Sequence, residues 1–213
     1  MLERGDPRPT VLLTGFGPFP GIPSNVSADL VRKVARLARR ALPEFHFAVA
    51  VLPTEWMRAP RLVAALHMRY RPKLALHFGV ASGAESIRLE IEGRNFCRPA
   101  LDAAGALPSA SVLCEDGPSA RHATIAVKAI AKELNARGYP AFISDDAGGY
   151  LCNAVLYHSL AHAEARGGCQ VGFVHIPPDL SEPSRMAEAI QGALEIIKIA
   201  LEPISKRASL TST

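Results

Sequence analysis

No apolar run in this 213-residue sequence is long enough to cross a bilayer, and no strong excess of charge points to a nucleic acid. A membrane-spanning helix needs about 20 apolar residues, and the first ten residues here lack the apolar core of a signal peptide. The 24 basic and 20 acidic residues leave a formal charge of only +4, and no basic run is interleaved with aromatic residues. We therefore expect neither a membrane nor a nucleic-acid partner.

Paired cysteines are also absent. None of the four cysteines belongs to a Cys-x-x-Cys motif, which argues against a zinc ribbon and against a disulfide framework. His158 and His162 are four residues apart, but no glutamate of a zinc-peptidase motif accompanies them, so we expect no metal site. A reducing, cytoplasmic setting follows as the expectation, with any functional cysteine present as a free thiol. The four cysteines are Cys97, Cys114, Cys152 and Cys169.

Strand-like and helix-like segments alternate along the chain. Short apolar runs closed by glycine or proline predict strands, and apolar residues at helical spacing predict helices. The predicted strands are Val11–Phe16, Phe45–Leu52, Leu74–Phe78, Ala141–Asp145 and Val171–Ile176, with a strand pair or hairpin inside Glu85–Asn95. The predicted helices are Ser27–Ala41, Trp56–Tyr70, Thr124–Arg137, Cys152–Arg166 and Ser184–Leu201.

This alternation predicts a three-layer α/β/α sandwich around a mixed, mostly parallel sheet. At roughly 150 residues per domain, the chain makes a single domain over 1–213, with flexible ends at 1–9 and 204–213. The composition, 48% hydrophobic and 21% charged, is that of a globular chain rather than a disordered one. In such a fold, functional sites gather at the carboxyl ends of the strands.

One cysteine occupies a position suited to chemistry. Cys152 follows a predicted strand, two glycines (Gly148 and Gly149) and Tyr150, at the point where a helix begins. The positive end of the helix dipole favours a thiolate there. The glycines allow a sharp turn and leave backbone N–H groups to face an oxyanion. Cys152 is therefore a candidate nucleophile, and the alternative is a buried structural cysteine.

A histidine lies where a general base for this cysteine is expected. His175 ends an apolar strand before two prolines, 23 residues after Cys152, which matches one strand–helix–strand step. We expect both residues at the carboxyl ends of neighbouring strands, although a histidine in the core is the alternative. A third group is needed to orient the imidazole. The candidates are Glu85, Glu90 and Glu92, and the sequence pattern does not choose among them.

The first loop, TGFGPFPG, does not fit a dinucleotide site. Its glycines at 15, 17 and 21 depart from the G-x-G-x-x-G spacing, and its prolines at 18 and 20 prevent a helix from starting on a phosphate. Phe16 and Phe19 lie at the carboxyl end of the first predicted strand, and they belong either to the core or to an apolar slot for a small flat ring.

Several motifs resemble those of pyroglutamyl-peptidase I (pyrrolidone-carboxylate peptidase), a family of cysteine peptidases. TGFGPFPG resembles the family's TGFxPFGG opening, and LHFGVASGAESIRLE resembles its glycine-rich strand end leading to a glutamate. AGGYLCN is similar to the nucleophile motif AGTYxCN, and GFVHIP is similar to the histidine motif GFIHxP. The resemblance covers nearly the whole chain.

The resemblance implies a role for each matched residue. Cys152 falls on the nucleophile and His175 on the base that activates it. Glu90 falls on the family's glutamate. Phe16 and Phe19 match the aromatic residues that hold the pyrrolidone ring.

The remaining matches are less regular. Asn25 matches the asparagine of the family's Asn-Pro-Ser step and is assigned to the substrate site. Two family arginines are replaced, one by Ala84 and one by Ile91. Arg98 is the implied match to a later arginine that helps the oxyanion, with Arg94 as its rival.

The implied activity is removal of N-terminal pyroglutamate (5-oxoproline) from peptides through a thioester acyl-enzyme, without a metal or organic cofactor. The implied fold is the α/β/α sandwich of the nucleoside phosphorylases. The implied partners are N-terminally pyroglutamylated peptides and further copies of the chain in a homotetramer or dimer. Two alternatives stay open: a related cysteine amidase with altered small-acyl specificity, and a pyroglutamyl-binding homologue with weakened catalysis.

Overall fold

The computed structural model describes residues 6–19, 21 and 24–210 as eight strands and five helices. The strands are β1 (Thr10–Phe16), β2 (His46–Leu52), β3 (Leu74–Val80), β4 (Ile87–Glu90), β5 (Glu92–Arg94), β6 (Ala120–His122), β7 (Ala141–Ser144) and β8 (Gln170–Ile176). The helices are α1 (Val26–Ala41), α2 (Arg58–Tyr70), α3 (Val127–Ala136), α4 (Leu151–Arg166) and α5 (Pro183–Leu210).

Six of the strands form one mixed sheet in the order β2-β1-β3-β8-β4-β7. The first four are parallel to one another, β4 is antiparallel to β8, and β7 is parallel to β4. Helices α1, α3 and α5 pack on one face of the sheet, and α2 and α4 pack on the other. The predicted three-layer sandwich with a mostly parallel sheet is therefore confirmed.

Strand alternation decides which side chains face α4. In β8, Val174 and Ile176 join the core under α1 and α5, whereas Phe173 joins the core under α2 and α4. Because successive strand residues point to opposite faces, His175 faces α4 with Phe173. The same parity places Gly79 of β3 and Glu90 of β4 on this face.

The predicted strand pair within Glu85–Asn95 is only half right. Both strands exist, but they are not hairpin partners. Strand β4 joins the main sheet between β8 and β7, and β5 pairs with β6 in a separate two-stranded sheet. The physical reason is burial, because Ile87 and Leu89 are buried in the core only when β4 is part of the main sheet.

The last helix is longer than predicted. The sequence places its end at Leu201, but α5 continues to Leu210. Position 203 is a proline, which lacks an N–H to donate within the helix, yet Ile204 beyond it packs against the core. The predicted flexible ends lie partly outside the described residues, at 1–5 and 211–213. Within 6–19, 21 and 24–210, no helix combines the length and apolar character of a membrane span.

Candidate active site

The N-terminus of α4 presents Cys152 to the sheet. Cys152 is the second residue of the helix and is half-buried. A Cβ atom placed on Gly79 of β3 would lie 2.7 Å from the Cys152 Sγ atom. The sulfur thus rests directly against the backbone of β3, in a space that only a glycine leaves open. The positive end of the helix dipole lies beside the sulfur at this position.

His175 and Glu90 form a buried pair beside this sulfur. The Nδ1 atom of His175 lies 2.7 Å from the Glu90 Oε1 atom, and the two residues are 6% and 1% exposed. With Nδ1–H donating to the carboxylate, Nε2 is the ring nitrogen available to Cys152. The second carboxylate oxygen, Oε2, is buried without a hydrogen-bond partner among the described residues. Glu90 therefore fixes the tautomer of His175.

The electrostatics favour a charged imidazole. Burial lowers the pKa of His175, but the charge of the adjacent Cys152, a side-chain hydrogen bond to Cys152 and the bond to Glu90 outweigh it. The net effect raises the pKa of His175 above its usual value. A cysteine and a histidine in this arrangement can hold a thiolate–imidazolium pair, the form of cysteine that attacks carbonyl carbon.

The route that brings Cys152 to His175 differs from the predicted one. Strand β7, which precedes Cys152, is not a neighbour of β8, because β4 lies between them. It also runs in the opposite direction to β8. Residues 145–150 carry the chain back across the sheet, and α4 then places Cys152 over β3. The predicted proximity holds, whereas the predicted strand adjacency is wrong.

The close approach at Gly79 gives a direct test of this packing. Gly79→Ala is expected to lower catalytic efficiency by at least about 100-fold, because the new methyl group displaces the sulfur from its position beside His175. Steady-state kinetics on a small amide substrate measure the loss. Gly17→Ala is the matched control, since its Cβ would meet Leu52 O at an ordinary 3.5 Å. Equal activity of the two variants would contradict the packing.

The three residues open into one pocket of about 690 Å³. One wall is aromatic: the Phe19 and Tyr150 rings lie 6.5 Å apart, and Tyr150 packs edge-on against Trp56 at 5.2 Å. The Tyr150 hydroxyl donates to Leu101 O at 3.0 Å, which fixes the ring. The pocket is lined in particular by Phe19, Asn25, Arg88, Glu90, Arg98, Asp146, Tyr150, Cys152 and His175.

Phe16 does not contribute to this aromatic wall, so its predicted contact with a ring substrate is wrong. It is 2% exposed and packs in the core under α2 and α4, with its ring 6.3 Å from Phe173. The reason is strand parity, since Phe16 shares a face of β1 with the buried Leu12. Tyr150, which sequence reasoning used only as part of a motif, takes the place of Phe16 beside Phe19.

Asn25 borders the pocket, but its side chain forms hydrogen bonds within the first loop and to the start of α1. Its Oδ1 atom accepts from the Ser27 backbone N–H at 3.1 Å and from the Ser27 hydroxyl at 2.8 Å, which caps α1. Its Nδ2 atom donates to Gly17 O at 3.1 Å. These bonds tie the first loop to α1. The geometry therefore supports a positioning role for Asn25 in place of the predicted substrate contact.

The two rival arginines occupy different places. Arg98 lines the pocket, and its backbone N–H donates to Gly149 O at 2.8 Å, so it lies against the turn that leads to Cys152. The Arg94 Nε atom pairs with Glu92 at 2.8 Å, and Arg94 is absent from the described lining of the pocket. Of the two, Arg98 is the one positioned to meet a ligand.

Asn153, the residue after the cysteine, was not singled out by sequence reasoning. It is buried, its Nδ2 atom donates to the carbonyl oxygens of Arg94 and Phe96 at 2.8 Å, and its Oδ1 atom accepts from the Arg94 N–H at 2.7 Å. This clamp joins β5 to α4 and so anchors the start of the helix that carries Cys152. Only its place in the Cys-Asn motif could have indicated it.

Loss of this clamp is expected to destabilise the fold. Asn153→Ala leaves three backbone groups without partners, at a cost of about 2–4 kcal/mol in the free energy of unfolding. Urea unfolding followed by circular dichroism measures it. Asn153→Asp keeps the shape but sets an anion against two carbonyl oxygens, so it should cost at least as much. A wild-type midpoint for the aspartate variant would argue against the clamp.

Comparison with known proteins identifies the family of this chain. The family model for pyroglutamyl peptidase matches residues 9–206. Similar relatives include Pyroglutamyl-peptidase 1 of Homo sapiens, 32% identical over 194 residues, covering 89% of this chain and 90% of that protein. Pyrrolidone-carboxylate peptidase 1 of Ralstonia nicotianae is 33% identical over 209 residues, covering 93% and 94%.

Solved structures give the same result. A mutant pyrrolidone carboxyl peptidase from the hyperthermophile Pyrococcus furiosus superposes with a TM-score of 0.82 at 27% identity. The superposition covers 92% of this chain and 99% of the Pyrococcus chain. With a family model matched over nearly the full length and relatives above 30% identity, the chain belongs to the pyroglutamyl peptidase family.

Proposed function

We propose that this protein is a cysteine peptidase that removes pyroglutamate from the N-terminus of peptides, with Cys152 as nucleophile. In this proposal His175 is the general base and acid, and Glu90 orients it. The observation that carries the proposal is the 2.7 Å contact between His175 Nδ1 and Glu90 Oε1, which leaves Nε2 for the cysteine at the start of α4. Membership of the pyroglutamyl peptidase family supports the substrate class.

The reaction begins with transfer of the Cys152 thiol proton to His175. The thiolate then attacks the carbonyl carbon of the pyroglutamyl group, forming a C–S bond and a tetrahedral oxyanion. The first N–H groups of a helix lack intrahelical partners, so the Cys152 N–H is available to the oxyanion. One such donor is worth roughly 3–4 kcal/mol. Arg98, from the pocket wall, is placed to add positive charge.

Collapse of this intermediate breaks the C–N bond. The imidazolium of His175 gives its proton to the leaving amine, and the peptide departs, leaving a thioester on Cys152. Neutral His175 then takes a proton from water, and the hydroxide attacks the thioester. Pyroglutamate leaves and the thiolate–imidazolium pair returns. Protons and electron pairs balance without any further reactant.

The aromatic wall of Phe19 and Tyr150 suits the pyrrolidone ring. Two rings 6.5 Å apart offer apolar faces to a flat five-membered lactam beside the sulfur. The bond from Tyr150 to Leu101 O and its contact with Trp56 keep this wall rigid. A rigid apolar wall of this kind suits a small cyclic acyl group.

Hydrolysis of a fluorogenic pyroglutamyl amide tests the function. The purified protein should release the fluorophore from the pyroglutamyl compound far faster than from prolyl or short acyl amides at equal concentration. A clear preference for another acyl group would favour the related amidase. Tight binding of a pyroglutamyl amide without turnover would favour the binding homologue instead.

The proposal also includes assembly into a cytoplasmic homo-oligomer, a tetramer or dimer. Strand β7 forms an edge of the main sheet, and its Phe142 and Ile143 are 64% and 44% exposed. Exposed apolar residues on a sheet edge suit contact with another copy. All four cysteines are free, which fits a reducing compartment. Light scattering after size exclusion should give a mass above the 22.8 kDa of one chain.

A further inference from the structure

Arg88 lies on the reacting face of the sheet, next to the histidine. It is the register partner of His175 across the β4–β8 pair, and directly opposed residues of antiparallel strands project from the same face. It is also two residues from Glu90, so the two side chains share that face. Its side chain lines the same pocket as Cys152. Arg88 is therefore part of the wall around the reacting atoms.

The guanidinium of Arg88 keeps donors for a ligand. Its Nη2 atom donates to the Gly83 carbonyl oxygen, and a guanidinium has five N–H donors in all. Glu90, the nearest carboxylate on β4, is bonded to His175. Among the ion pairs of the described residues, none involves Arg88. A half-buried cation without a carboxylate partner thus borders the pocket.

The aromatic wall and Arg88 lie on opposite sides of the sulfur. Phe19 follows β1, whereas Arg88 belongs to β4, and the sheet order β1-β3-β8-β4 separates the two strands by three steps. At about 4.8 Å per step, this distance is about 14 Å. Cys152 lies over Gly79 of β3, next to β8, and therefore between them. The pocket therefore has an aromatic side near β1 and a side formed by β4, which carries Arg88.

The other arginine of the described pocket lining lies elsewhere. Arg98 is held against the Gly148–Gly149 turn and precedes Ala100, whose carbonyl accepts the Trp56 indole N–H at 2.9 Å, so it belongs to the aromatic side. Asp146 follows β7, the parallel neighbour of β4, and its Oδ1 atom accepts the Gly148 N–H at 2.9 Å, so this carboxylate is tied to its own loop. Arg88 is therefore the cation on the side of β4.

The order of Phe19, Cys152 and Arg88 across the pocket sets the direction of the substrate, provided that the proposed function holds. With the ring against Phe19 and the acyl carbon at the sulfur, the leaving nitrogen faces His175, and the next residue runs towards β4. We propose that Arg88 forms a carboxylate-binding subsite for this residue. The enzyme then favours peptides in which aspartate or glutamate follows pyroglutamate.

Two peptide amides that differ by one charge test the subsite. Pyroglutamyl-glutamyl-alanine amide and pyroglutamyl-glutaminyl-alanine amide have the same size, and chromatography of the released dipeptide amides gives kcat/KM for each. The acidic peptide should be preferred about fivefold by the wild type, as for a partly exposed charge-assisted pair. Arg88→Gln should bring this ratio to about one, and Arg88→Lys should keep part of it.

A charge-matched control separates a local subsite from a general field. Arg36→Gln removes an exposed arginine of α1 far from the pocket and should leave the ratio at the wild-type value. A wild-type ratio of one, or a preference that survives Arg88→Gln, would overturn the subsite while leaving the function intact. Failure of the wild type to cleave any pyroglutamyl amide would instead overturn the proposed function, and the subsite with it.

Discussion

Cys152→Ala is expected to reduce kcat/KM for a pyroglutamyl amide by about 10⁴-fold or more, the size of loss seen when a covalent nucleophile is removed. The physical reason is that no other thiol of the described residues lies in the pocket with His175 and Glu90. Steady-state assays with a fluorogenic substrate measure the loss. Cys114→Ala is the matched control, because Cys114 is exposed and outside this pocket, and it should keep wild-type activity.

The rate of alkylation is a second test of the reactivity of Cys152. Near neutral pH, iodoacetamide should label Cys152 first, since it lies at the start of α4 beside the imidazole of His175, the setting of reactive cysteines. Burial raises the pKa of Cys169 to about 12 and raises the pKa of Cys97, so both should react slowly. Mass spectrometry of tryptic peptides reports each site. Labelling of Cys97, Cys169 and Cys152 at one common slow rate, or full turnover by Cys152→Ala, would place the chemistry elsewhere.

The layer order of the fold could be predicted because it depends on local patterns. Helices α1 and α4 begin within one residue of their predicted starts, since the Asn25 cap of α1 and the glycine pair before α4 are local signals. The position of β4 could not be predicted in this way. Its insertion between β8 and β7 depends on burial of Ile87 and Leu89 against distant segments, which no local pattern records.

The site was predictable to the same extent. A glycine pair before a helix and a histidine at a strand end made Cys152 and His175 candidates, because both signals are local, and the structure brings the two side chains together. The residues alone did not distinguish Glu90 from Glu85 and Glu92, and the resemblance was needed to choose it. The difference between them lies in the tertiary structure. Glu90 faces α4 from β4, whereas Glu92 pairs with Arg94 on β5.

The aromatic wall could not be predicted from local sequence patterns. Phe16 ends β1 and Phe19 lies three residues later, but only Phe19 lies at the pocket. Its partner, Tyr150, comes from a segment more than a hundred residues away and meets it because the 145–150 loop crosses the sheet. A contact of that kind depends on the tertiary path of the chain.

Glu90→Gln is expected to lower kcat by about 10⁴-fold while leaving the fold intact, on the scale of the loss caused by neutralising the carboxylate behind a catalytic histidine. Glutamine keeps the size of the side chain but removes the charge that stabilises the imidazolium. Its amide can also turn its NH₂ group towards Nδ1 and so select the wrong tautomer of His175. Glu92→Gln is the matched control, because Glu92 pairs with Arg94 away from the pocket lining.

The pH profile separates this role from a merely structural one. Burial lowers the pKa of His175, but Cys152 and Glu90 together hold it above its usual value. The imidazolium must protonate the leaving amine, so activity falls as the pH rises through this pKa. Without the Glu90 charge the pKa of His175 drops, and the alkaline limb of kcat should move to lower pH. A variant with reduced kcat and an unmoved alkaline limb would show that Glu90 acts only by packing, since loss of a buried contact leaves the proton affinity of the ring unchanged.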